Sequence, residues 1–413
     1  HFCRAILALG GDVASGSPGR SARSPWKEFH ATAGDWKPPA DLPNGADWVF
    51  VSTLTDVKPD PKLKTLAAKL GPALAELEES CKHSPALIPN DFETDKPFAI
   101  LLPHVQDARN LARGCRAVAF QALVDGDPRK AFRTVLLCLK LADRLDQESF
   151  LISKLVQMAI FKEGCETLAI VMGHAAPTPA EFAALDAQLR APERFSFREC
   201  MFAEQAAAVE SLEHLDPDEL FAAIGVGLSS LEGLRLRLLA RYQSSWLGEP
   251  DRIEEQIWLL KNVDRRIVAF DDLGPIGAAA MAEFEAECAA RRYASVLGVF
   301  MPAMKPAKSA KTRHLALGSL ARGCLRGQRY AATHGRLPDK IADFADADWS
   351  VAGAAPGLFA PEYLKTKDGF TLRTDDPTRP GAAAPAFLQL DVAWPAKPVK
   401  PADQKAPVRG PTP

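Results

Sequence analysis

LARGCRAVAFQALVDGDPRKAFRTVLLCLKLADRL, residues 111–145, holds two apolar-periodic runs on either side of Gly126-Asp127-Pro128. The spacing predicts helices over about Ala99–Val124 and Pro128–Leu145. Between them, Gly126 can take a positive φ at little cost, and Asp127 can cap the following helix with its carboxylate. Pro128 suits a first helical turn, where its missing N–H sacrifices no bond. The stretch therefore reads as a helical hairpin, and it sets the fold class as mainly α.

Further helices extend the pattern in both directions. Upstream, Leu63, Leu66, Leu70, Leu74 and Leu77 recur every three or four residues, which puts one apolar stripe on a helix over about Lys62–Lys82 with a kink or split at Gly71-Pro72. Downstream, a helix from about Glu148 to Met172 is expected to turn Leu151, Leu155, Met158, Ala159 and Leu168 inward. The next begins at Thr178-Pro179-Ala180-Glu181, a threonine cap with proline first and glutamate third. Three or four more helices are expected between Arg194 and Phe300. One carries the stripe Ile253, Ile257, Leu260, Val263 and Ile267, with Glu254, Glu255, Lys261 and Arg265 toward water. A Pro- and Lys-containing link, Pro302–Lys311, precedes a last helix that ends at His334-Gly335.

The two ends differ from this body. Residues 1–60 form an irregular Trp-, Pro- and Gly-rich segment whose tryptophans need burial while its punctuation blocks long elements, with a short strand expected at Val49–Val51. Residues 61–300 are then a helical-hairpin domain, solenoid-like but irregular. Residues 301–393 join the last helix to a small β-hairpin made of Phe370–Thr374 and Phe387–Val392. Residues 394–413, rich in Pro and Lys, read as a disordered tail of polyproline II character.

Composition narrows the function classes. With 50 Lys+Arg against 52 Asp+Glu, the net charge of −2 offers no general attraction to nucleic acid. No apolar run reaches the roughly 18–20 residues that span a bilayer, so no integral membrane span is expected. Eight widely spread cysteines contain no Cys-x-x-Cys pair and fall largely on apolar helix faces, as small buried hydrophobes do. The chain begins at His1 rather than methionine, which leaves an upstream start, signal or anchor open.

Two resemblances rest on particular residues. Leu111–Leu145 resembles a tetratricopeptide-type hairpin: Ala119 and Ala131 are the small residues where the helices approach, Gly126 sits in the turn, and Leu139 follows Cys138 at the inner face. A true array repeats about every 34 residues, and only one copy is seen. Gln328–Phe344, QRYAATHGRLPDKIADF, followed by Pro361-Glu362-Tyr363-Leu364 and Gly369-Phe370, is similar to the helix-to-sheet passage of bacterial pseudopilins. Pro302, Lys305, Pro306, Lys308 and Lys311 occupy the place of a pseudopilin's apolar export helix, so this is not an inserted pilus subunit. Together the segments resemble an uncharacterised bacterial family of mainly helical proteins. That resemblance implies an architecture and an association with the cell envelope, with a cytoplasmic location as the alternative, and assigns no reaction.

Candidate chemistry is sparse. His104 and Asp107, three apart near a helix start, have the spacing of an acid–base pair. Glu163 and Glu166 share a helix face, and Glu210, Glu213 and His214 cluster later, but the Glu-x-x-His motifs of bundle metal sites are missing from the sequence. Gly225-Val226-Gly227 lacks the third glycine of a phosphate loop, and there is no Walker A or Gly-x-Ser-x-Gly motif. Leu234, Leu236, Leu238 and Leu239 alternate with Arg235, Arg237 and Arg241 as a core helix edged by arginine stems would. The sequence thus favours a noncatalytic helical scaffold or adaptor for a protein or peptide partner, with no cofactor and no metal. The alternative is an enzyme using His104, Asp107, Glu163 and Glu166 between helices.

Overall fold

The computed structural model describes residues 45–52, 56–83, 103–146, 150–190, 196–213, 248–262, 275–291, 304–344, 361–375 and 387–393, with a few isolated positions between them. Among these residues the chain is mainly α. The helices are α1 (Gly45–Ser52), α2 (Pro61–Ser80), α3 (Pro103–Val124), α4 (Pro128–Leu145), α5 (Leu151–Met172), α6 (Pro179–Leu189), α7 (Phe197–Glu213), α8 (Glu249–Lys261), α9 (Pro275–Arg291) and α10 (Met304–His334). One antiparallel sheet follows, β1 (Glu362–Thr366), β2 (Gly369–Asp375) and β3 (Phe387–Ala393), in that order.

The α3–α4 hairpin forms as its residues predict. Gly126 has φ +78°, and the Asp127 carboxylate accepts from the Lys130 amide at 2.9 Å. Ala119 and Ala131 are fully buried where the two helices meet. The fifth helix continues the up-and-down course, so that α3 and α5 run parallel on either side of α4. Cys138 of α4 sits between them, its Sγ 4.0 Å from the Ala112 carbonyl and 3.8 Å from that of Ile160. Contact is close because Gly164 has no side chain: a Cβ there would lie 2.7 Å from Leu139 Cδ2. On the far side α2 packs antiparallel to α3, with Leu70 over Gly114.

After a long excursion through α7, α8 and α9, α10 returns beside α5. His314 meets the Phe161 ring at 4.3 Å and Gln328 Nε2 donates to the Met172 carbonyl at 3.0 Å, an order of contacts that makes the two helices parallel. The short α6 lies antiparallel to α10, with Phe182 beside Arg329 and Asp186 beside Arg322. The sheet then covers α10 with its apolar face: Phe370, Leu372, Leu390 and Val392 are buried in the main core, which also holds α2–α6. Gly327 makes room for Phe370, whose Cζ would come within 2.9 Å of an added Cβ. A smaller core joins Met158 of α5 to Phe197, Met201, Met281, Phe284 and Ala307.

Several expectations need correction. Val49–Val51 is not a strand but part of α1, which places Val51 in the main core; three residues of β-branched and aromatic character fit either state when a neighbouring core is the decider. The second helix runs through Gly71-Pro72 as one element. The Pro302–Lys311 link is helical from Met304, because Pro306 falls in the first turn of α10, where its lack of an N–H is tolerated. The β-hairpin gains a third strand, β1, paired with β2 through Thr366↔Gly369.

Two faces also differ from the predicted ones. On α8, Ile253, Ile257 and Leu260 are 46%, 42% and 57% exposed, whereas Glu255 is buried. Periodicity locates an apolar stripe but not its neighbour, and here Trp258 provides the packing by stacking on Phe284. On α5, Leu151, Leu155 and Ala159 are only partly buried while Ser153, Lys154 and Gln157 are buried. Val263, Gly225–Gly227, Ser230, Leu234–Arg237, Leu239, His214 and the tail from residue 394 lie outside the described residues.

Candidate functional site

Glu163 and Glu166, two of the residues singled out as a possible acid–base site, are engaged in ion pairs. Arg116 of α3 reaches across to α5, 2.9 Å from Glu163 and 3.3 Å from Glu166. Lys162 lies 2.8 Å from Glu166 on its other side. The two glutamates are therefore half of an ionic clasp between parallel helices. Asp107 precedes Arg116 by nine residues on the same helix, a rise of about 14 Å, and so stands well away from the clasp. His104 lies in the first turn of α3, and its side chain is outside the described residues. Among the described residues no three His, Cys, Asp or Glu side chains group as metal ligands would.

A polar cluster that sequence reasoning missed lies under the corner between α4 and α5. Lys154 Nζ donates to the Asp146 carboxylate and Ser153 Oγ to Glu148, all four residues being buried. Glu204 of α7 accepts the Leu151 amide at 2.9 Å and thereby caps α5. Burial pushes the Glu204 pKa up against that bond. His314 faces the same region; burial, and next the Lys154 charge, push its pKa down to about 3. Its imidazole is thus neutral at ordinary pH. With Lys154 wholly shielded from solvent, the cluster has the chemistry of a structural knot, since no substrate reaches the ammonium.

Among the described residues, two concave surfaces face solvent. The first is a groove of about 430 Å³ between α2 and α4, with α3 as its base. Leu74, Val118 and Leu137 give it an apolar floor; Glu78, Lys130 and Arg133 stand along its rim. Gly71 keeps the α2 wall low, with no atom within 4 Å of where its Cβ would be. The second is a pocket of about 460 Å³ between α6 and α10. Its floor is Asp186, which accepts from Arg322 Nε at 3.0 Å and also from Arg190. Burial alone would raise the Asp186 pKa, but the bonds from Arg322 and Arg190 outweigh it and hold the carboxyl below its ordinary value.

Comparison with protein-family models, curated proteins and solved structures returned no match. The chemistry must be read from the chain's own side chains. On that basis the groove and the pocket are candidate ligand sites among the described residues, and neither is lined by His104, Asp107, Glu163 or Glu166. A signal for the pocket was present in the sequence: Arg322, Arg326, Arg329 and Thr333 recur at helical spacing on α10. What the sequence withheld was the packing of α6 against α10, by which α6 supplies the opposite wall from more than a hundred residues away.

Proposed function

We propose that the protein is a noncatalytic helical scaffold that holds a peptide segment of a partner protein in the groove between α2 and α4. The observation that carries this reading is the groove's make-up, an apolar floor with a charged rim on the exposed side of the α3–α4 hairpin. Arg129 is committed to Glu181 and to the Ala176 carbonyl. Lys130 and Arg133 are exposed on the rim, and among the described residues neither has a carboxylate partner. Asp127 and Glu78 also line the groove, but the α4 rim at Lys130 and Arg133 favours acidic residues beside an apolar anchor, with burial of the anchor supplying affinity and the rim charges supplying orientation. The tetratricopeptide-like character of the hairpin is in keeping with this role, and so is the envelope association that the family resemblance implies.

Selection from a random peptide library on the full chain tests the proposal. Enriched peptides are expected to pair apolar with acidic residues, and Lys130→Glu combined with Arg133→Glu is expected to weaken them at least tenfold without lowering Tm. Peptides that bind the doubly substituted chain as tightly as the original would overturn it.

A further inference from the structure

We infer that the α2–α4 groove of one molecule receives α8 from a second copy of this chain, an inference that rests on reading the groove as a peptide-holding site. One face of α8 is anchored. Gln256 donates to the Val209 carbonyl of α7 at 3.2 Å, Trp258 stacks on Phe284, and Glu255 and Asn262 are buried. The opposite face leaves Ile253, Ile257 and Leu260 open to solvent, one apolar stripe at helical spacing. Glu249 begins that face, Glu254 flanks its first half and Lys261 closes it. All three are exposed, and none is held in an ion pair among the described residues. The stripe is thus an apolar anchor with acidic residues at one end and a cation at the other.

The groove offers the complementary order of charge. Lys130 and Arg133 stand on its α4 rim toward one end, Glu78 on its α2 rim toward the other, and Leu74, Val118 and Leu137 lie beneath. Asp127 is spent on the Lys130 amide as the cap of α4. The spans agree as well. Arg144 donates to the Ser80 carbonyl at 2.7 Å and so levels the C-terminal ends of α2 and α4, which puts Glu78 about 18 Å along the groove from Lys130. Glu249 and Lys261 are twelve residues apart, also about 18 Å of helix. An incoming α8 laid parallel to α4 therefore brings Glu249 and Glu254 to Lys130 and Arg133, Lys261 to Glu78, and the three aliphatic side chains over the floor. Ala67, Gly71 and Ala75 form the α2 wall, so a helix can approach closely. Because groove and helix are different surfaces, the contact is head-to-tail, and copies join into a closed ring or an open chain.

Sedimentation velocity of the full chain tests this. The chain is expected to associate as its concentration rises from micromolar toward millimolar, and added salt should weaken the association. Lys130→Glu with Arg133→Glu reverses the groove's rim and leaves α8 intact. Ile257→Asp, at an exposed position, spoils α8 and leaves the groove intact. Each of these chains should sediment as a monomer, its Kd for self-association raised at least tenfold. Their equimolar mixture should form a 1:1 dimer and nothing larger, since one working groove and one working helix remain in each pair. Lys261→Glu should weaken association about tenfold, and Glu78→Lys added to the same chain should restore it, a rescue that misfolding cannot imitate. A mixture that stays monomeric would overturn the inference. So would self-association that survives in the groove variant, which assigns α8 to pairing with its own counterpart, Glu254 facing Lys261. An original chain that is monomeric throughout would overturn it too, and peptides from the library that still bind that chain's groove would leave the scaffold reading standing.

Discussion

Lys154 places an ammonium group where water does not reach, in a helix face that a sequence pattern assigns to leucines. Taking a cation out of water is costly unless a partner answers it, and Asp146, eight residues earlier, does so. Asp146→Ala is therefore expected to destabilise the protein by about 3–5 kcal/mol, by analogy with broken buried pairs, as read from the urea midpoint. Replacing both residues, Asp146→Leu with Lys154→Met, should return much of that loss; a double variant no better than the single one would refute the explanation. His314 gives a second prediction. Because its pKa falls to about 3 on folding from about 6.5 in an unfolded chain, the unfolded state takes up a proton that the folded state refuses. Its contribution is intact above about pH 6.5 and is lost as pH falls toward 3. His314→Phe, which preserves the ring contact with Phe161, should flatten stability against pH between 6.5 and 4. Identical slopes for the two proteins would rule this out. Neither residue was legible as a site in the sequence: a lone lysine or histidine within an apolar stripe gives no sign of what it will face.

At the level of elements, local chemistry was readable and tertiary chemistry was not. Thr178 and Glu181 form the reciprocal cap expected of them, the Glu181 amide donating to Thr178 Oγ1 at 3.3 Å and the Thr178 amide to Glu181 at 2.7 Å. Gly126 and Gly335, both at positive φ, terminate helices where the sequence put the breaks. These signals work because each is complete within about four residues. The stripe on α8 was found, but its Ile253, Ile257 and Leu260 stay partly exposed, and the α6–α10 pocket was not found, because Asp186 and Arg322 meet across 136 positions. Removing the cap isolates the element it serves: Thr178→Ala should cost about 1 kcal/mol and speed amide exchange in α6 more than in α3 or α4. Since Asp186 and Arg190 ride on α6, the same variant should loosen the α6–α10 pocket while leaving the α2–α4 groove alone. Uniform acceleration of exchange across all helices would contradict that localisation.

Taken whole, the molecule is held together by a helix and a sheet that come late in the chain but pack against its middle. The main core includes Leu317, Leu320, Cys324 and Leu325 of α10 together with Phe370 and Leu390 of the sheet. The inner face of α5 is thus completed by residues beyond 304. A chain ending at residue 300 should consequently lack a cooperative thermal transition and bind a hydrophobic dye, as a compact state with loosened packing does. A sharp transition with native near-ultraviolet dichroism in that truncated chain would show the hairpins to be self-sufficient. The fold class was legible at this scale because apolar periodicity accumulates over many helices. The closure was not, because which late segment covers which early one depends on shape and not on pattern.

The bond from Gln328 to the Met172 carbonyl joins positions 156 residues apart, and it has a meaning for the chain as it is made. At ribosomal rates of about 5–20 residues per second, that separation corresponds to roughly 8–30 s of synthesis. For that interval the nascent protein carries α5 with part of its apolar surface still waiting for its cover. In the cell, the vulnerable period of this fold is therefore set by the timing of translation.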